Sequence, residues 1–322
     1  MTIRNAPAPD GPARGTAVPE VVAVVGATAA GKSDLAVELA LRLGGEAINA
    51  DSMQLYRGMD IGTAKLTPDE MRGIPHHLLD VWDVTRTASV AEYQRLCARV
   101  IAEIRERNRV PVLVGGSGLY VRAALDHLDF PGTDPAVRAR LEEELARVGP
   151  GALHDRLRAA DPDAAEAILP SNGRRIVRAL EVIEITGRPF SATLPEYRYR
   201  YASVVQIGLS VPRAELDERI AARVRRMWDA GLVGEVRELE RRGLRDGLTA
   251  GRALGYAQVL RYLSGEWTEQ RAMEETIRAT RRFARRQESW FRRDPRVQWL
   301  PYDDPDLVDR ALALIGDAAR RR

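Results

Sequence analysis

The chain has 322 residues, 45% of them hydrophobic and 30% charged, the balance of a globular protein long enough to bury a full core as one large domain or one domain with an insertion. No apolar run approaches the length of a membrane span, and the single cysteine, Cys97, excludes an internal disulfide or a cysteine-rich zinc site. The net charge is +3 and arginines gather toward the C-terminus, so an RNA-binding surface and a solvated helix face both stay open.

Residues 1–20 mix Pro, Ala, Gly and charge with no apolar stretch. They read as a flexible N-terminal extension and not a signal peptide, which makes the cytoplasm the expected location. Val21 to Val25 is a wholly apolar, β-branched run that stops at Gly26, the pattern of a strand buried on both faces. A helix is predicted from Ser33 to Leu43, ended by Gly44-Gly45, and a second strand over Ala47 to Ala50. A helical pattern from Ser89 to Arg107 leads into a third strand, Val110 to Val114, which ends in Gly115-Gly116-Ser117-Gly118. Alternating strands and helices are the grammar of a doubly wound parallel sheet.

From Pro131 to Pro195 the pattern turns to consecutive helices broken by Asp-Pro steps. Ser203 to Leu209 then reads as a returning strand, and long amphipathic helices are predicted over Arg213 to Arg242 and Glu269 to Arg293. The expected fold is therefore α/β: a P-loop NTPase-like doubly wound parallel sheet (residues 21–130 and 201–322) with an inserted all-helical domain (131–200).

The segment Gly26-Ala27-Thr28-Ala29-Ala30-Gly31-Lys32-Ser33 matches G-x-x-x-x-G-K-[ST] between a buried strand and a helix. Small residues let backbone N–H groups close around phosphate oxygens at a helix N-terminus. Lys32 adds a point charge, and the Ser33 hydroxyl is suited to ligate Mg²⁺. By motif the chain is nucleotide-binding and ATP-binding in type. An ordinary P-loop ATPase also ends a strand in Asp to hold the metal; here the third strand ends in glycines. Asp51, after the second strand, becomes the available carboxylate and the candidate catalytic base, against the plainer reading of a cap or turn residue. His76-His77 lacks spaced Cys or His partners and reads as packing and hydrogen bonding.

The P-loop, the block Asn49-Ala50-Asp51-Ser52-Met53-Gln54-Leu55-Tyr56-Arg57-Gly58-Met59-Asp60-Ile61-Gly62-Thr63-Ala64-Lys65, Pro75 to Asp80, Val114 to Tyr120, Gly173 to Val182, Gly255-Tyr256, Arg286-Gln287 and Trp290 to Arg292 together resemble the tRNA dimethylallyltransferase (isopentenyltransferase) family. The resemblance covers almost all of the chain after residue 20. It implies transfer of a dimethylallyl group from its diphosphate to N6 of the adenosine just 3′ of the anticodon, with Mg²⁺ and without ATP, by a monomer.

The resemblance implies further that Thr28 to Ser33 bind the prenyl diphosphate, with Arg223 as a second phosphate ligand and Asp51 as base. Asp51, Ser52, Met53, Gln54, Ser117, Arg138, Arg174, Arg175, Arg178, Arg252, Gly255 and Tyr256 are implied to contact the tRNA anticodon stem-loop, whose target base must leave its stack to react. Ser117 stands where the family usually has Thr, Ala27 where Pro is common and Ala257 where Lys is frequent. Arg281, Arg282, Arg285, Arg286, Arg292 and Arg293, with Trp290 and Phe291 among them and few acids, read as an RNA-facing surface. Three rivals are a P-loop small-molecule kinase, a prenyltransferase of free AMP or ADP, and an RNA-binding module with a vestigial P-loop. The first would need ATP, the second would leave the insertion without a stem-loop to grip, and the third would tolerate Lys32→Ala.

Overall fold

The computed structural model describes residues 19–190 and 196–320. The expected N-terminal extension falls, up to residue 18, outside them. In chain order the elements are β1 (Val21–Gly26), α1 (Lys32–Leu43), β2 (Gly45–Asn49), α2 (Pro68–Met71), β3 (His76–His77), α3 (Val90–Glu106), β4 (Val110–Gly115), α4 (Gly118–Leu125), α5 (Pro135–Ala160), α6 (Pro162–Ala167) and α7 (Gly173–Thr186). They continue with β5 (Val204–Ser210), α8 (Arg213–Asp229), α9 (Leu232–Arg241), α10 (Tyr256–Leu263), α11 (Glu269–Arg292), β6 (Val297–Pro301) and α12 (Leu307–Arg320).

Six strands form one parallel sheet in the order β3-β2-β4-β1-β5-β6. Every residue of β1 is buried. Because successive side chains of a strand point to opposite faces, both faces at β1 must be covered, which is why the run is apolar without alternation. Leu35, Ala36, Leu39 and Ala40 of α1, Ile220 of α8, Ala284 of α11 and Ile315 of α12 join the strand residues in one core. The register sets Val25 beside Gly115 and Asn49 beside Val114. The C-terminal ends of β1, β2 and β4 are thus level, the place where parallel sheets collect ligands.

Two strands go beyond the sequence reading. β3 is only two residues long, and β6 buries only Val297 and Leu300, so neither leaves an apolar run. One predicted helix is corrected: Arg213 to Arg242 is α8 and α9, separated at Gly231, whose φ is 98°. That left-handed backbone ends a helix, and glycine adopts it without a Cβ clash.

The chain divides into two compact units, residues 1–126 with 199–322, and 127–198. The second unit consists of α5, α6 and α7 around Leu141, Leu153, Leu157, Ile168, Ile176 and Leu180. Its helix α5 is broken at Gly149, φ 79°, followed by Pro150. In the first unit, the chain on either side of 127–198 is paired: Asp126 and Tyr199 form an antiparallel bridge, and Arg200 N donates to Leu125 O at 2.8 Å. Beside that bridge, Arg296 donates to the buried Asp126 carboxylate at 2.8 and 3.1 Å and to Asp294 at 2.8 Å, with its guanidinium 3.9 Å from the Tyr199 ring. No described helix is long and apolar enough to cross a membrane.

Candidate active site

The level strand ends open onto a cleft of about 720 Å³ that holds most of the candidate catalytic groups: Thr28, Lys32, Ser33, Asp51 and Arg223 all line it. The P-loop leaves β1 at Gly26, φ 135°, and enters α1 through Gly31, φ 95°. At Gly26 a Cβ would lie 3.2 Å from the Leu209 carbonyl, so the residue serves both a positive φ and a close approach. Lys32 Nζ donates to Ala27 O at 2.7 Å, folding the side chain back over its own loop.

Three ties from outside the motif hold this loop. Arg219 Nε donates to Ala29 O at 2.9 Å. Arg223 Nη1 approaches Thr28 Oγ1 at 3.4 Å. Gln287, buried on α11, accepts from Thr28 N at 2.9 Å through Oε1 and donates to Gly116 O at 2.9 Å through Nε2. One amide side chain thereby fixes the spacing between the ends of β1 and β4. Sequence reasoning quoted Gln287 within a motif and gave it no role. Its signal is position: Ala284, Gln287 and Phe291 form the buried stripe of a helix otherwise crowded with arginine.

The cleft is electropositive at the phosphate loop. Burial and the neighbouring Arg223 cation push the Lys32 ammonium down from 10.5 to about 8, against the opposing pull of the Asp51 carboxylate. Arg223 is lowered by burial and by Arg226 and Arg219, again with Asp51 opposing. Cations crowded without enough counter-charge are a site that an anion would stabilise.

Asp51 is held in a turn. Its N–H donates to Asn49 Oδ1 at 2.8 Å, and its Oδ1 accepts from Met53 N at 2.8 Å. Asn49 in turn donates to Asp51 O at 2.9 Å and Leu78 O at 3.0 Å. The turn uses one carboxylate oxygen, and Asp51 also lines the cleft. Ser117 Oγ accepts from Ser52 N at 3.2 Å, joining the ends of β2 and β4. Gln54 lines the cleft, but its amide is committed to Thr63 O and Ala64 O at 3.1 and 3.3 Å.

The Ser33 hydroxyl has no hydrogen-bond partner among the described residues and lines the same cleft as Asp51. No cluster of three or more His, Cys, Asp or Glu suited to a metal occurs among the described residues. Such a donor set fits a hard cation that completes its shell with phosphate oxygens and water, the habit of Mg²⁺. His76 and His77 are hydrogen-bonded strand residues, to Ile74 O at 2.8 Å and Glu46 at 2.7 Å.

The residues expected at tRNA are distributed unevenly. Arg174, Arg175 and Arg252 are exposed, whereas Arg138 and Arg178 are half-buried and paired with the buried Glu181. Tyr256 is fully buried, its hydroxyl donates to Glu235 at 2.6 Å, and Gly255 before it is buried as well. Arg282 and Arg285 of α11 and Arg293 at its C-cap are exposed and make no ion pair among the described residues.

A parallel sheet with a Gly-rich loop entering α1 and a cation-rich cleft at its strand ends defines a P-loop α/β protein built to hold phosphates. The IPP transferase family profile matches residues 54–294. The chain is 74% identical over 300 residues to tRNA dimethylallyltransferase of Thermobifida fusca (strain YX), covering 92% of this chain and 94% of that one. It is 69% identical to tRNA dimethylallyltransferase of Streptomyces coelicolor, covering 92% and 96%. Among solved structures, the full-length tRNA isopentenylpyrophosphate transferase of Bacillus halodurans superposes with a TM-score of 0.69 at 43% identity, covering 94% of this chain and 96% of that chain. A eukaryotic dimethylallyltransferase captured acting on tRNA superposes with a TM-score of 0.79 at 25% identity, covering 94% and 80%. The chain belongs to the IPP transferase family.

Proposed function

We propose that the protein transfers a dimethylallyl group from dimethylallyl diphosphate to N6 of the adenosine just 3′ of the anticodon in tRNA, releasing diphosphate. The observation that carries this reading is one cleft lined by both a P-loop and a carboxylate, Asp51, in a chain of this family.

The chemistry follows from what each group does. The adenine amino nitrogen is a weak nucleophile because its lone pair is delocalised into the ring. As the N6–C1 bond forms and the C1–O bond breaks, one N6 proton must leave, and Asp51 takes it. Negative charge grows on the departing diphosphate. The P-loop amides, Lys32 and Arg223 meet that charge from fixed positions, which lowers the barrier more than mobile water would. Ser33 would hold Mg²⁺, and the bound ion would neutralise further diphosphate charge.

The tRNA ligands in this reading are Asp51 to Gln54, Ser117, Arg138, Arg174, Arg175, Arg178 and Arg252, with the exposed arginines of α11 added for the backbone. In this reading the enzyme acts in the cytoplasm as a monomer. The test is a mass measurement on unmodified tRNA incubated with protein, Mg²⁺ and dimethylallyl diphosphate, beside an ATP-only control, followed by nucleoside digestion. Gain of one five-carbon unit on an anticodon-loop adenosine without ATP supports the reading. No gain, with ATP consumed, replaces it by a kinase.

A further inference from the structure

The segment from Asp60 to Thr67 forms one wall of the cleft, yet it contains no regular element. Its shape must come from side-chain ties. Three successive backbone N–H groups, of Asp60, Ile61 and Gly62, converge on the Glu235 carboxylate of α9 at 3.0, 2.7 and 3.2 Å. Tyr256 donates its hydroxyl to the same carboxylate at 2.6 Å. The backbone lies flush on the Tyr256 ring: a Cβ on Gly62 would come within 2.5 Å of it.

The far end of the wall is tied separately. Lys65 Nζ donates to Tyr56 O, Asp60 and Asp80 at 2.7, 2.7 and 2.6 Å, which spends all three donors and leaves none for phosphate. Held in this way, the wall presents Ile61, Ala64 and Leu66 to the cleft, where Met227 of α8 adds a further apolar group. Neither Glu235 nor Tyr256 lines the cleft themselves; they act through the wall.

We infer that Glu235 and Tyr256 are positioning residues that fix how long a hydrocarbon tail the cleft accepts. The inference rests on the proposed prenyl transfer, since a tail leaving the P-loop needs apolar surface. A carboxylate that accepts four hydrogen bonds is held more rigidly than a neutral acceptor would be. Weakening it lets the backbone at 60–62 retreat and the cleft deepen.

The experiment compares kcat/KM for dimethylallyl diphosphate and for the ten-carbon geranyl diphosphate in wild type, Tyr256→Phe and Glu235→Gln, with tRNA as acceptor. In both variants the five-carbon preference is expected to fall by at least roughly tenfold: Tyr256→Phe removes one charge-assisted hydrogen bond, and Glu235→Gln replaces an oxygen that accepts two. The KM for dimethylallyl diphosphate should rise while kcat changes by less than about twofold. Hydrogen exchange, which needs no turnover, should show the amides of Asp60 to Gly62 losing protection while those of β1 keep theirs. An unchanged chain-length preference in both folded variants, or unchanged exchange at Asp60 to Gly62, overturns the inference. A wild type that transfers no prenyl group fails the proposed function instead, and the exchange measurement still judges the role of Glu235 in holding the wall.

Discussion

If the Lys32 ammonium loses its proton near pH 8 in the free enzyme, binding of dimethylallyl diphosphate must weaken as the pH passes that value. The diphosphate selects the charged form, so its affinity is full while Lys32 is protonated. By about pH 9 only roughly one-tenth of the free enzyme retains that proton, and the apparent Kd should be about tenfold higher than at pH 7. Titration calorimetry without tRNA measures this at equilibrium, because no acceptor is present for turnover. The linkage sign gives a second, opposite readout. Between about pH 8 and the unfolded value of 10.5, the unfolded chain binds more protons at Lys32 than the native one, so this group's contribution to stability rises with pH while ligand affinity falls. Lys32→Ala should bind more weakly at neutral pH and lose the slope. A wild-type Kd that stays level across the window, or an equal slope in Lys32→Ala, would refute the assignment of Lys32 as the ammonium that senses diphosphate.

Asp51→Asn keeps an oxygen for the Met53 N–H and so preserves the turn; turnover should fall by about 10²–10⁴-fold in single-turnover assays while tRNA affinity by filter binding is nearly unchanged. Gln287→Ala strips partners from Thr28 N–H and Gly116 O, at about 1–3 kcal/mol for each buried group left unpaired. Chemical denaturation should register that loss, and Kd for the diphosphate should rise with it. Reversing Arg282, Arg285 and Arg293 to Glu should lower tRNA affinity and flatten its dependence on log salt by about 0.7 to 0.9 per lost phosphate contact. Binding of dimethylallyl diphosphate should be unmoved in that variant, and an unaltered salt slope would assign these arginines to a solvated face.

The central strands were legible because burial writes itself as an unbroken apolar run, complete in Val21 to Val25 and in Val110 to Val114 relaxed only at the half-buried Val114. Edge strands are written faintly: β6 buries two of its five residues, and its pairing with β5 depends on a sheet already in place. The P-loop was legible because the constraint is local, with backbone, Lys32 and Ser33 within eight positions. The burial of Tyr256 was not legible, for the opposite reason. Its motif has the look of a contact surface, but the partner that encloses it, Glu235, lies on another helix. Gln287 shows the same limit: sequence gives its place on a buried stripe, while only the tertiary fold brings Thr28 and Gly116 to its two ends.

The antiparallel bridge of Asp126 with Tyr199, beside which Arg296 is clasped, closes residues 127–198 into a loop whose two ends meet. From the side of the sheet, that whole excursion is equivalent to a turn. Doubling the length of a closed flexible loop costs only about 0.6 kcal/mol, so the catalytic core is nearly indifferent to how many residues pass through the closure.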